Sequence, residues 1–166
     1  KSINKDNSLL NCRIKGLNYF KPDLFIIDFN LKLKKNLLIN NLMNKRKTFL
    51  ITSEENKKKI NFYKKKNFKI IFIKSLDCKN DFKKIFKIIY KLGYRRAFFE
   101  TGLTFLNSLL KFKLVNILYV LQNNIMLKKK GINNGSSQYL KKIKLNKEIK
   151  INLKNDSLYK KNFNYV

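Results

Sequence analysis

The chain has 166 residues, 44% of them hydrophobic, with 14 Phe and 8 Tyr, enough apolar material for one packed domain and too much for a disordered chain. Its formal net charge is +29, from 39 Lys and Arg against 10 Asp and Glu, yet only Arg13, Arg46, Arg95 and Arg96 are Arg. Two Cys and no His leave little room for metal chemistry or a disulfide scaffold, and no apolar run reaches the roughly 18 residues of a membrane span.

The charge invites a nucleic-acid reading, because a basic surface attracts polyanions. Arg rather than Lys leads in reading bases and phosphates, however. Lys, Asn, Ile and Phe are all abundant here while Gly, at 5, and Pro, at 1, are scarce. That joint skew points to compositional bias filling solvated positions with Lys. Nucleic-acid binding by a basic α/β module without catalytic activity is kept as the alternative reading. Reduced cysteines and the lack of a signal-peptide pattern suit a cytoplasmic protein.

In chain order, residues 1–19 are polar and turn-rich. Leu24–Asp28, after Pro22, reads as a short strand bounded by turn formers. Residues 30–46 read as loop or short irregular elements, and Thr48–Thr52 as a second strand. Ser53, two Glu and Asn56 then make a helix start, with the helix running to about Lys66. Lys57–Lys59 and Lys64–Lys66 form its wet side. Lys69–Ile73 is a third strand. Asp81–Leu92 places Phe82, Ile85, Phe86, Ile88, Ile89 and Leu92 on one helical face, and Gly93 ends it.

Ala97–Phe99 reads as a fourth, buried strand ending at Glu100. Thr101 and Gly102 turn the chain into a helix from about Leu103 to Phe112, and Leu114–Leu121 is a fifth strand. After Gly131, Ile143, Leu145, Ile149, Ile151 and Leu153 keep odd numbers, as one face of antiparallel strands does. The expected fold is α/β: a mostly parallel sheet flanked by helices, with antiparallel C-terminal strands. A strand, an acid and a glycine at the mouth of a helix form a common phosphate site in such sheets.

The segments SINKDNSLLNCRIKGL, PDLFIIDF, FFETGLTFLNSLL and LVNI, in this order and spacing, resemble the C-terminal reductase domain of the bifunctional riboflavin-biosynthesis deaminase/reductase. That family carries a threonine-rich turn, an Asp-Asp-Pro-x-Leu-Thr-x-Arg stretch, a strand ending in Asp-Ser, a strand ending in Glu-Gly-Gly or Glu-Ala-Gly, and Leu-Val-Asp-Glu. The resemblance implies a dihydrofolate-reductase-like fold, NADPH as cofactor, and reduction of the ribosyl group of 5-amino-6-(5-phosphoribosylamino)uracil to the ribityl product. It also implies a homodimer without membrane attachment.

Position by position, the resemblance puts Ser2 and Asp6 at the cofactor and Leu10, Arg13 and Glu100 at the substrate, with Arg13 facing its phosphate. Asp6 and Glu100 are the catalytic candidates. Gly102, Leu103, Thr104, Phe105, Leu106, Asn107 and Ser108 match the turn and helix start that hold the NADPH phosphates. From the residues alone, Glu100 reads equally as a capping acid, Arg13 as a solvated charge and Asp6 as a turn former. Asn7 and Ser8 replace the family's second Asp and Pro, Phe29 a cofactor-contacting Ser, Thr101 a Gly or Ala, and Asn116 and Ile117 the late Asp-Glu. The family's domain begins with a further strand and helix, usually behind a zinc deaminase domain. The chain, which opens on Lys, is therefore read as one incomplete reductase domain with an exposed apolar sheet surface and poor stability on its own.

Overall fold

A computed structural model describes residues 2–10, 15–16, 19, 21–42, 45–123, 138–145, 148–150 and 156–165. They form two compact units, Lys1–Arg95 and Arg96–Val166.

The first unit is built on a parallel sheet in the order β1 (Leu24–Ile27), β2 (Thr48–Thr52), β3 (Phe68–Phe72). The central strand, TFLIT, is buried at every position, as expected of a parallel strand covered on both faces. Alternation sorts the side chains. Ile26, Leu50 and Phe68 join Ile60 and Tyr63 of helix α2 (Lys57–Lys65) in one core. Ile51 joins Ile85 and Ile89 of α3 (Lys79–Lys91) in a second, with Phe25, Ile27 and Ile71 packed against it. Each fully buried aliphatic side chain of this kind contributes about 2 kcal/mol.

The helix boundaries follow local chemistry. Asn56, rather than Ser53, caps α2, its side chain accepting from the Lys59 amide. The Ser53 hydroxyl instead donates to the Phe29 carbonyl at 3.2 Å. At the start of α3 the Asp81 carboxylate accepts from the Ser75 hydroxyl at 2.8 Å, the Lys84 ammonium at 3.1 Å and the Asp77 and Cys78 amides. Gly93, at φ 96°, ends α3 as its sequence position indicates. The polar N-terminal stretch contains a short helix, α1 (Ser2–Asp6), and the irregular segment before β2 holds a 3-10 turn at Leu38–Leu42.

The second unit contains α4 (Leu103–Lys111), β4 (Ile117–Asn123), α5 (Gln138–Lys141), β5 (Glu148–Ile149) and β6 (Asp156–Asn162). Its strands pair antiparallel in the order β4-β6-β5. The observed architecture is thus α/β, with a parallel sheet and an antiparallel C-terminal sheet.

Two sequence expectations change. Ala97–Phe99 joins no ladder among the described residues, and Phe98 is 83% exposed. A run of three apolar residues between Arg96 and Glu100 offers too few backbone positions to define a strand without a neighbour to pair with. The period-two pattern of the tail does not lie on one strand: Ile143 and Leu145 follow α5, Ile149 lies in β5, and Ile151 and Leu153 fall outside the described residues. The strand that completes the second sheet is β6, DSLYKKN, which lies within the tail expected to form antiparallel strands and pairs with β4 over its whole length. On β4, Ile117, Tyr119 and Leu121 are exposed on alternate positions while Leu118 is buried.

Candidate functional site

Ser2 and Asp6 open and close α1, and Leu10 lies four residues beyond it. Three side chains fix this segment. Asn4 donates to the Lys32 carbonyl at 2.7 Å and accepts from the Lys34 amide at 2.9 Å. Asn7 accepts from the Leu38 amide at 2.8 Å. The Arg46 guanidinium donates to the carbonyls of Leu9 and Leu10, both at 2.7 Å. Ile3 and Leu10 pack against the first core.

Asp6 is exposed at the C-terminal, negative end of α1, where a carboxylate gains nothing from the helix. It makes no hydrogen bond among the described residues. The turn is made by Asn7, at φ 46°, and not by Asp6. Burial pulls the Arg46 guanidinium below its ordinary value, and the Asp23 carboxylate opposes that shift. Arginine stays charged regardless. Arg13 lies outside the described residues.

In the second unit, Glu100 and Thr101 are exposed in the irregular stretch before α4, and Gly102 occupies the helix N-cap. No side chain caps α4 and its first turn holds no acid, so Glu100 is not a capping group. Gly102 has φ −79° and ψ 169°, which any residue adopts, and a β-carbon there would meet open space. Nothing inside the fold therefore demands glycine at the mouth of this helix. Thr104 is exposed, and Leu103, Phe105, Leu106, Asn107 and Ser108 are half-buried. The Ser108 hydroxyl donates back to the Thr104 carbonyl at 3.3 Å, and the Phe99 and Phe105 rings stack with centroids 6.2 Å apart.

Of the substitutions relative to the resembled family, Asn7 bonds the Leu38 amide, and Phe29, where that family has a cofactor-contacting Ser, packs its ring against the second core. The Asn116 carbonyl accepts from the Phe163 amide at 2.8 Å, and Ile117 begins β4. Sequence reasoning missed Asn4, Asn7 and Arg46, whose partners lie far along the chain. The only available signal was that Arg46 is one of four Arg in a Lys-rich sequence.

Exposed Lys residues cover the outer sides of α2 and α3, and the Arg95 guanidinium lies 4.0 Å from the Tyr90 ring centroid. Among the described residues no helix is long and apolar enough to cross a membrane, and no three His, Cys, Asp or Glu side chains cluster as metal ligands do.

No curated protein sequence matches the chain. Among solved structures it is similar to a diaminohydroxyphosphoribosylaminopyrimidine deaminase/5-amino-6-(5-phosphoribosylamino)uracil reductase from Thermotoga maritima, at TM-score 0.65 and 16% identity. That match covers 96% of this chain and 42% of the Thermotoga chain, so the likeness is one of fold and spans less than half of the larger protein. Residues 1–149 match the family described as the RibD C-terminal domain. With the match running from α1 through β5, the chain belongs to the RibD C-terminal domain family.

Proposed function

We propose that the chain is the reductase part of a riboflavin-pathway enzyme, using NADPH to reduce the ribosyl group of 5-amino-6-(5-phosphoribosylamino)uracil to the ribityl product. The observation that carries this reading is the family match over residues 1–149. The start of α4 fits a dinucleotide phosphate. It has no side-chain cap, no acid in the first turn, and open space at a glycine that neither φ nor packing requires.

When bound, NADPH supplies the hydride that takes the place of the ring oxygen on the ribose C1′. The bond between C1′ and the ring oxygen would break, and that oxygen would stay on the ribityl chain as the C4′ hydroxyl after taking up one proton. Asp6 and Glu100, both exposed carboxylates, are assigned to hydroxyl contacts and to that proton. Leu10 and Arg13 are assigned to the substrate, with Arg13 at its phosphate. Ser2, Asp6 and Gly102–Ser108 are assigned to the cofactor. We place the enzyme in the cytoplasm as a homodimer acting as one reductase domain.

The test follows NADPH oxidation by the purified protein. Oxidation with the aminouracil phosphate and not with dihydrofolate is expected. Oxidation with dihydrofolate moves the protein to another branch of the fold, and none with either substrate overturns the reading. The exposed Lys faces of α2 and α3 favour a second reading, a polyanion-binding module. It requires nucleic-acid affinity that falls steeply with salt, and no complex at low salt ends it.

A further inference from the structure

The turn between α1 and Leu10 holds two non-glycine residues in the left-handed region, Asn7 at φ 46° and Leu10 at φ 49°. Asparagine tolerates this conformation because its short amide bonds locally; leucine has no such compensation. A leucine there persists only where its surroundings over-determine it. Those surroundings are the packing of Leu10 on the first core and the two 2.7 Å bonds from Arg46 to the Leu9 and Leu10 carbonyls.

Arg46 is only 7% exposed, and no carboxylate forms an ion pair with it among the described residues. Burying a guanidinium against neutral carbonyls is unfavourable unless the geometry of its donors is used. Here the planar fork spans two successive carbonyls, a task that one ammonium cannot reproduce. The guanidinium also has a rigid base, since Arg46 sits two residues before β2, the fully buried central strand.

We propose that Arg46 is a positioning residue. It locks the left-handed turn at Leu10 and thereby presents Leu10 to the substrate. The role of Leu10 rests on the reductase reading above; the locking of the turn does not.

The experiment compares wild type with Arg46→Met and Arg46→Lys in the whole protein, by steady-state kinetics and by amide hydrogen exchange. Arg46→Met removes both bonds to the turn; with Leu10 no longer held, the KM for the aminouracil phosphate is expected to rise roughly tenfold, with kcat and the KM for NADPH within about twofold of wild type. Arg46→Lys is expected to fall between the two. Exchange is expected to quicken at residues 7–10 while the β2 amides stay protected. Wild-type exchange at residues 7–10 in Arg46→Met overturns the proposal. So does loss of protection throughout β2, which marks a merely structural role, and so does an unchanged substrate KM with quickened exchange. A wild-type protein that fails to oxidise NADPH with this substrate instead overturns the reductase reading, and exchange still decides whether Arg46 holds the turn.

Discussion

The phenolic hydroxyl of Tyr94, just beyond the glycine that ends α3, donates to the Asp23 carboxylate just before β1. The other Asp23 oxygen accepts from the Lys47 amide at 2.8 Å, so one carboxylate joins the entries of β1 and β2 to the exit of α3. The Tyr94 ring packs edge-on against Phe25 and Phe49, which stack on each other with centroids 4.4 Å apart.

Burial first, and then Asp23, push the Tyr94 phenol up to about 12. A raised folded-state pKa favours the protonated form in the native protein, so its stabilisation is full below the unfolded value near 10 and is lost as pH rises towards 12. Tyr94→Phe is expected to lower stability by about 1 kcal/mol at neutral pH and to flatten the alkaline limb. Urea melts across that window check both effects.

Asp81 behaves in the opposite sense. Its hydrogen bonds from Ser75, then Lys84 and Cys78, hold the carboxyl well below the usual carboxylate range. A depressed folded-state pKa contributes stability that is present above the unfolded value near 4 and fades as pH falls below it. Asp81→Asn is expected to lower Tm by a few degrees at pH 7 and to have a much smaller effect at pH 2. Thermal melts at both pH values test this.

At Asn7 the backbone and the side chain can be separated. Asn7→Gly keeps the left-handed backbone and loses only the bond to the Leu38 amide, whereas Asn7→Ala loses both. The alanine variant is expected to be about 1 kcal/mol less stable than the glycine variant. Equal stabilities would show that the turn relaxes once its side chain is gone.

Gly102→Ser gives a prediction of mixed sign. A serine hydroxyl at the N-cap is expected to stabilise α4 by a few tenths of a kcal/mol, because it supplies the cap that the helix lacks. The same hydroxyl occupies the amides assigned to phosphate, so NADPH binding is expected to weaken about tenfold. Calorimetric titration alongside a thermal melt reads both. A variant that binds NADPH as wild type does would remove α4 from the cofactor assignment.

The parallel sheet was legible because its signals are local. TFLIT is a short apolar run, and Phe82, Ile85 and Ile89 recur at helical spacing. Gly93 marks its own stop. That residues 1–19 are turn-rich was legible, but what holds the turn at residues 7–10 was not, because Arg46 and Asn4 act on carbonyls 37 and 28 residues away. The C-terminal tail was legible as antiparallel strands, but the bounds of β6 within it were not, for a related reason. DSLYKKN has little apolar periodicity of its own, and pairing with β4 makes it a strand. Glu100 and Gly102 stood out in the sequence because a chemical motif joins neighbours, and the start of α4 lies where that motif places a helix. Arg13 lies outside the described residues.

Helices α2, α3 and α4 are each followed by a left-handed residue: Asn67 at φ 62°, Gly93 at φ 96° and Lys113 at φ 57°. Around Gly93 and Lys113 the chain closes with the same paired bonds, Tyr94 to Ile89 and Gly93 to Tyr90, Leu114 to Leu109 and Lys113 to Leu110. The closing geometry is thus held whether the site carries glycine or a long cationic side chain. Lys113→Gly is expected to gain about 1 kcal/mol and raise the melting temperature. Because only the side chain changes at a site whose geometry glycine already serves elsewhere in the chain, this single replacement is a direct route to more robust preparations.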